Sequence, residues 1–67
     1  MNSLEKQIIK IEEIFKKNKE LIKLTLIHKN CYIPEETLEF LAEKYKYKLI
    51  EEKIKPKETI YIWRKEK

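Results

Sequence analysis

Leu21-Ile22-Lys23-Leu24-Thr25-Leu26-Ile27-His28 is the stretch on which the fold turns. Ile22, Leu24 and Leu26 alternate with Lys23 and Thr25, the period-two pattern of a strand with one buried face. Lys29-Asn30 closes it. Upstream, Leu4, Ile8, Ile11 and Phe15 recur at spacings of four, three and four, one stripe of a helix. Asn2 followed by Glu5 reads as a capping box, and Lys16 and Lys17 suit the negative end of the helix dipole. Asn18 can take the left-handed turn that glycine would otherwise supply. The spacing predicts a first helix over residues 3–18.

Downstream, Pro34 followed by Glu35 and Glu36 marks a second helix start, and Leu38, Leu41, Ala42 and Tyr45 form its apolar stripe. Residues 47–54 and 58–64 are two short strands joined by Lys55-Pro56-Lys57, with Pro at the second position of a turn. In the last strand Ile60 and Ile62 share one face, and Thr59, Tyr61 and Trp63 the other. The order α-β-α-β-β predicts an α+β protein: a two-layer sandwich with a small mixed three-stranded sheet and both helices on one face. Residues 1–67 read as a single domain. Ile22, Leu24, Leu26, Ile60 and Ile62 are expected to meet the helices. Thr25, Ile27, Tyr61 and Trp63 then form an apolar outer patch and the strand edges stay unpaired, so a symmetric homodimer built on the sheet face or a sheet edge, with Trp63 at or near the contact, is expected.

Composition narrows the chemistry. Of 67 residues 15 are Lys, 12 Glu and 11 Ile, with no Gly and no Asp. Glycine-rich phosphate loops and EF-hand loops are therefore excluded. Abundant Lys, Glu and Ile resemble thermophile usage, although an AT-rich genome favours the same codons. No apolar run approaches a membrane span, the N-terminus has no signal-peptide pattern, and one cysteine permits no internal disulfide. A cytoplasmic protein without a membrane is expected.

His28 and Cys31 form an isolated H-x-x-C pair, short of the ligands zinc needs. The adjacent pairs Glu12-Glu13, Glu35-Glu36 and Glu51-Glu52 point apart rather than converging on a cleft. No catalytic residue, metal or cofactor follows from these patterns, and the chain is expected not to be an enzyme. The second half carries more. Lys46, Lys48, Lys53, Lys55, Lys57, Arg64 and Lys65 are interleaved with Tyr45, Tyr47, Tyr61 and Trp63. Basic groups contact phosphates and aromatic faces stack on bases, as on a single-strand or RNA surface. The expected function is a weak nucleic-acid-binding homodimer, contacting RNA or DNA through Lys46, Lys48, Lys53, Lys55, Lys57, Tyr61, Trp63, Arg64 and Lys65. The net charge is +4, a mild footprint for such a role.

The order of helix, strand Leu21–His28, helix Glu35–Tyr45 and a closing hairpin through Ile60-Tyr61-Ile62-Trp63-Arg64-Lys65 resembles the TusA/SirA sulfur carriers without their first strand. That resemblance implies a thiol carrier. Cys31-Tyr32-Ile33-Pro34 keeps the cysteine and second proline of the family's Cys-Pro-x-Pro, with Tyr32 at the first proline, and makes Cys31 the alternative site. A thiol near a helix N-terminus is favoured as thiolate. The element order is also similar to that of Alba-type chromatin proteins, which implies dimeric nucleic-acid binding. A third expectation is a protein partner, the chain acting as a regulator from a small mobile genome.

Overall fold

The apolar stripe of the first helix and the alternation of the first strand each become one regular element. The computed structural model describes residues 3–29 and 33–66. Helix α1 spans Ser3–Lys16, strand β1 Leu21–Ile27, helix α2 Glu35–Lys44, strand β2 Tyr47–Ile54 and strand β3 Glu58–Lys65. The predicted order α-β-α-β-β is the observed one. Asn2, and with it the Asn2–Glu5 capping box, lies outside the described residues, as do Cys31 and Tyr32.

α1 stops two residues earlier than its periodicity predicts, because Asn18 takes φ 59° and turns the chain out of the helix. The Lys17 and Asn18 N–H groups close that end on the carbonyls of Ile14 and Phe15. At the start of α2, Pro34 is extended (φ −63°, ψ 145°) and its carbonyl accepts from the N–H groups of Thr37 and Leu38. α2 ends on a second left-handed residue, Lys46 at φ 61°. A side chain with Cβ is disfavoured there by about 1–2 kcal/mol. Two backbone bonds hold it: its N–H donates to Glu43 and its carbonyl accepts from the Glu66 N–H.

The strand order is β1-β3-β2, and both pairings are antiparallel. The sheet is therefore not mixed, as the sequence had led us to expect. β1 and β2 do run the same way, but β3 lies between them, so no parallel pair forms. α2 carries the chain across the sheet to the far edge, and the turn at Lys55-Pro56-Lys57 sends it back through the gap. The Lys55 N–H donates to the Glu58 carbonyl at 2.8 Å to close that turn.

The expectation for β3 is reversed. Trp63 pairs with Ile22, Tyr61 with Leu24 and Thr59 with Leu26. Residues directly opposite in a ladder share a face, so Thr59, Tyr61 and Trp63 turn toward the helices. Ile60 and Ile62 turn outward and are half-buried. The reason is volume. Phe15 meets Trp63 edge-on at 5.1 Å between centroids and Tyr47 at 5.3 Å, while Tyr61 stacks on Trp63 at 5.4 Å. Each such ring buries ~150–250 Å², which two isoleucines in the same places would not. Ile11, Ile22, Leu38, Leu41 and Ala42 complete the buried cluster. Trp63 is 2% exposed, so it is not the dimer contact the sequence pointed to. A charged residue there would disrupt the core.

Polar bonds pin the two helices together. The Tyr45 hydroxyl and Lys44 Nζ both donate to one oxygen of Glu12, at 3.0 and 3.2 Å. The Tyr47 hydroxyl donates to the Lys19 carbonyl, and burial raises its pKa above the usual phenol value. Thr59, the buried polar residue of β3, lies 2.7 Å from His28 Nε2 and is satisfied by it.

Two outcomes follow. Phe15→Ala removes the ring that three other aromatics touch or approach, at a cost of ~3–5 kcal/mol. That is comparable to the whole stability of a small domain. The variant should lose its cooperative thermal transition and its near-UV dichroism, and Phe15→Leu should keep both. Glu12 is held below the usual carboxylate range, first by the Tyr45 hydroxyl and then by Lys44. A depressed carboxyl stabilises the fold above its unfolded pKa and loses that effect as pH falls through the folded one. Glu12→Gln should therefore lower Tm at pH 7, and the difference should shrink as pH drops below about 4.

Candidate nucleic-acid interface

Both helices pack on one face of the sheet, and among the described residues no element covers the other. Its composition follows from the register. One row crosses Leu21, Arg64 and Lys48; the next crosses Lys23, Ile62 and Glu51; the third crosses Thr25, Ile60 and Lys53. The face has an apolar centre, Ile60 and Ile62 on β3, flanked by Lys23, Lys48, Lys53 and Arg64, all four exposed. Lys53 Nζ lies 3.6 Å from a Glu51 carboxylate oxygen, an exposed pair of little energetic weight. Lys48 and Arg64 face one another directly across the ladder.

The residues singled out from the sequence are placed differently by the fold. Lys48, Lys53 and Arg64 lie together on the open face. Lys55 and Lys57 are exposed in the turn at one end of it. Lys46 is exposed beyond the end of α2. Tyr61 and Trp63 are in the core, 8% and 2% exposed, so their ring faces are closed to stacking bases. Lys65 belongs to the fold. Its Nζ donates to the Tyr45 carbonyl at 2.7 Å and sits 4.8 Å from the Tyr47 ring centroid. Cys31, the alternative thiol, lies outside the described residues.

Lys23 was missed. It precedes the basic second half of the chain, yet its outward direction was already set by the alternation of Ile22, Leu24 and Leu26. Only the pairing of β1 with β3 brings it beside Ile62 and into line with the basic residues of the hairpin.

One groove on the helix side of the molecule is bordered by acids. A groove of ≈ 370 Å³ opens beside α2, floored in part by Leu49 and Trp63 and bordered by Glu35, Glu39, Glu43 and Glu66, with Lys46 as its one basic residue. This groove offers carboxylates around an apolar floor, and the outer sheet face offers ammonium and guanidinium groups, with Glu51 among them, around Ile60 and Ile62. No described helix is long and apolar enough to cross a membrane. Comparison with known proteins found no matching family model, curated protein or solved structure.

Proposed function

We propose that the chain is a non-enzymatic binding module whose open sheet face contacts the phosphate backbone of nucleic acid. The carrying observation is Lys48 directly opposite Arg64, with Lys23 and Lys53 on the same face. Like charges set opposite each other in a ladder are destabilising. Leu21, the remaining member of that row, carries no compensating acid. A local cost without a local return is the mark of a site used for something other than folding. A polyanion laid across the strands would relieve the repulsion and release counterions.

The burial of Tyr61 and Trp63 changes the mode of binding. Without stacking faces, contact rests on charge and on the apolar strip of Ile60 and Ile62, so little sequence preference is expected. Lys55 and Lys57 extend the basic surface at the turn.

The reading is tested by titrating labelled single- and double-stranded oligonucleotides at several salt concentrations. With three or four phosphate contacts the log–log salt slope should be roughly −3. Lys48→Gln and Arg64→Gln should each reduce that slope by about 1 and weaken binding uniformly across sequences. Lys17→Gln, which removes the same charge beyond the end of α1, should leave the slope unchanged. No binding to any oligonucleotide at low salt would refute the proposal.

A further inference from the structure

The two edges of the sheet are built differently. β2, Tyr47-Lys48-Leu49-Ile50-Glu51-Glu52-Lys53-Ile54, breaks its register between Leu49 and Glu51 and carries four charged side chains. Bulges and charges are the features that keep an edge from pairing. β1, Leu21-Ile22-Lys23-Leu24-Thr25-Leu26-Ile27, has an unbroken register, no proline and one charge.

The direction of its free backbone groups is fixed. The Glu20 carbonyl accepts from the Lys65 N–H at 2.8 Å, and the His28 N–H donates to the Lys57 carbonyl at 3.0 Å. Even-numbered residues therefore bond to β3. The N–H and C=O groups of Leu21, Lys23, Thr25 and Ile27 point away from the sheet, and no other described strand flanks them. Leu21 and Ile27 are 52% and 55% exposed. A groove of ≈ 340 Å³ adjoins this edge, lined by Ile11, Ile14, Leu24, Leu26 and Ile33 among others, so the apolar layer continues up to β1.

We propose that β1 pairs antiparallel with β1 of a second copy about a two-fold axis at Leu24, which joins two sheets into one of six strands. The choice of occupant follows from the strand's own sequence. Centred on Leu24, the register sets Leu21 against Ile27, Ile22 against Leu26, Lys23 against Thr25 and Leu24 against itself. All seven residues find partners. The outward-facing odd-numbered residues meet one another, as the ladder requires, giving roughly eight backbone bonds. Each exposed apolar end covers the other. Moving the centre to Lys23 would set Lys23 against Lys23, and moving it to Thr25 would leave Leu21 opposite Lys29.

An axis normal to the sheet keeps both helix layers on one side and both outer faces on the other, so the basic surface doubles. The pairing goes beyond nucleic-acid binding and does not depend on it. A contact confined to one strand edge is expected at the small end of specific interfaces, below ~1,200 Å². The dimer is accordingly reversible, with monomer dominant on dilution.

Sedimentation equilibrium of the full chain, without nucleic acid, tests this. The wild-type dimer fraction should rise through the micromolar range. Thr25→Lys places two lysines opposite two lysines at exposed positions and should weaken association about tenfold, with an unchanged circular dichroism spectrum. Adding Lys23→Glu to that variant converts both contacts to opposite-charge pairs and should restore association. A wild-type chain that is monomeric at high micromolar concentration overturns the proposal. So does a dimer insensitive to Thr25→Lys, or one that the second substitution fails to recover. Because no oligonucleotide is present, failure here leaves the salt titration to stand on its own result.

Discussion

The edge-on contact of Phe15 with Trp63, 5.1 Å between ring centroids, is the constraint from which the rest of the architecture follows. It joins the end of α1 to the middle of the sheet and decides which side of β3 is interior. Once Trp63 points inward, the two-residue alternation of a strand brings Tyr61 and Thr59 in with it and sends Ile60, Ile62 and Arg64 out. The register with β1 then has to set Ile22 and Leu24 beside the rings, because any odd shift would turn Lys23 and Thr25 into the core. A chain this short buries only ~60% of its unfolded surface, so a few large rings do what many aliphatic side chains do in larger proteins.

That arrangement also gathers basic side chains on the outer face. With the rings gathered on the helix side, the outer face of the sheet holds the half-buried Ile60 and Ile62, the exposed Leu21 and Ile27 at its β1 edge, and polar residues around them. Lys23, Lys48, Lys53 and Arg64 reach that face from three different strands. Glu35, Glu39 and Glu43 of α2 border a groove on the helix side. Four cations gathered on one face concentrate charge there beyond what the net charge of +4 would suggest.

Much of the fold was legible in the sequence, and the failures have specific causes. α1, β1 and α2 each carry one apolar stripe of a single period, and their boundaries fell within two residues of the prediction. Asn18 was identifiable because, in a chain without glycine, Asn is the residue best suited to a left-handed turn. Lys46 was not, since nothing in a lysine side chain favours that conformation and the bond from the Glu66 N–H to its carbonyl comes from tertiary structure. The face of β3 was ambiguous because Thr59-Ile60-Tyr61-Ile62-Trp63 is apolar or aromatic on both sides, and alternation cannot choose between two apolar faces. Aromatic residues among lysines read as a stacking surface, yet the same residues were needed for the core. Of the basic site, the hairpin residues were legible and Lys23 was not, because joining it to them requires the β1–β3 pairing.

The segment from Lys44 to Tyr47 shows why the outer face is left open. Four consecutive residues hold four parts of the molecule. Lys44 and Tyr45 bind Glu12 of α1; the Tyr45 carbonyl takes the Lys65 ammonium from the end of β3; the Lys46 carbonyl takes the Glu66 N–H; and Tyr47 reaches back to the Lys19 carbonyl before β1. Every one of these ties gathers the chain around α2 and the helix side. With Lys46 left-handed, the chain reverses from α2 into β2 within two residues and cannot wander across the outer face. The connection that crosses the sheet, from β1 to β2, runs through α2 in the helix layer. Within the described chain, the covering of one face and the openness of the other are thus a single consequence of where the helices are tied.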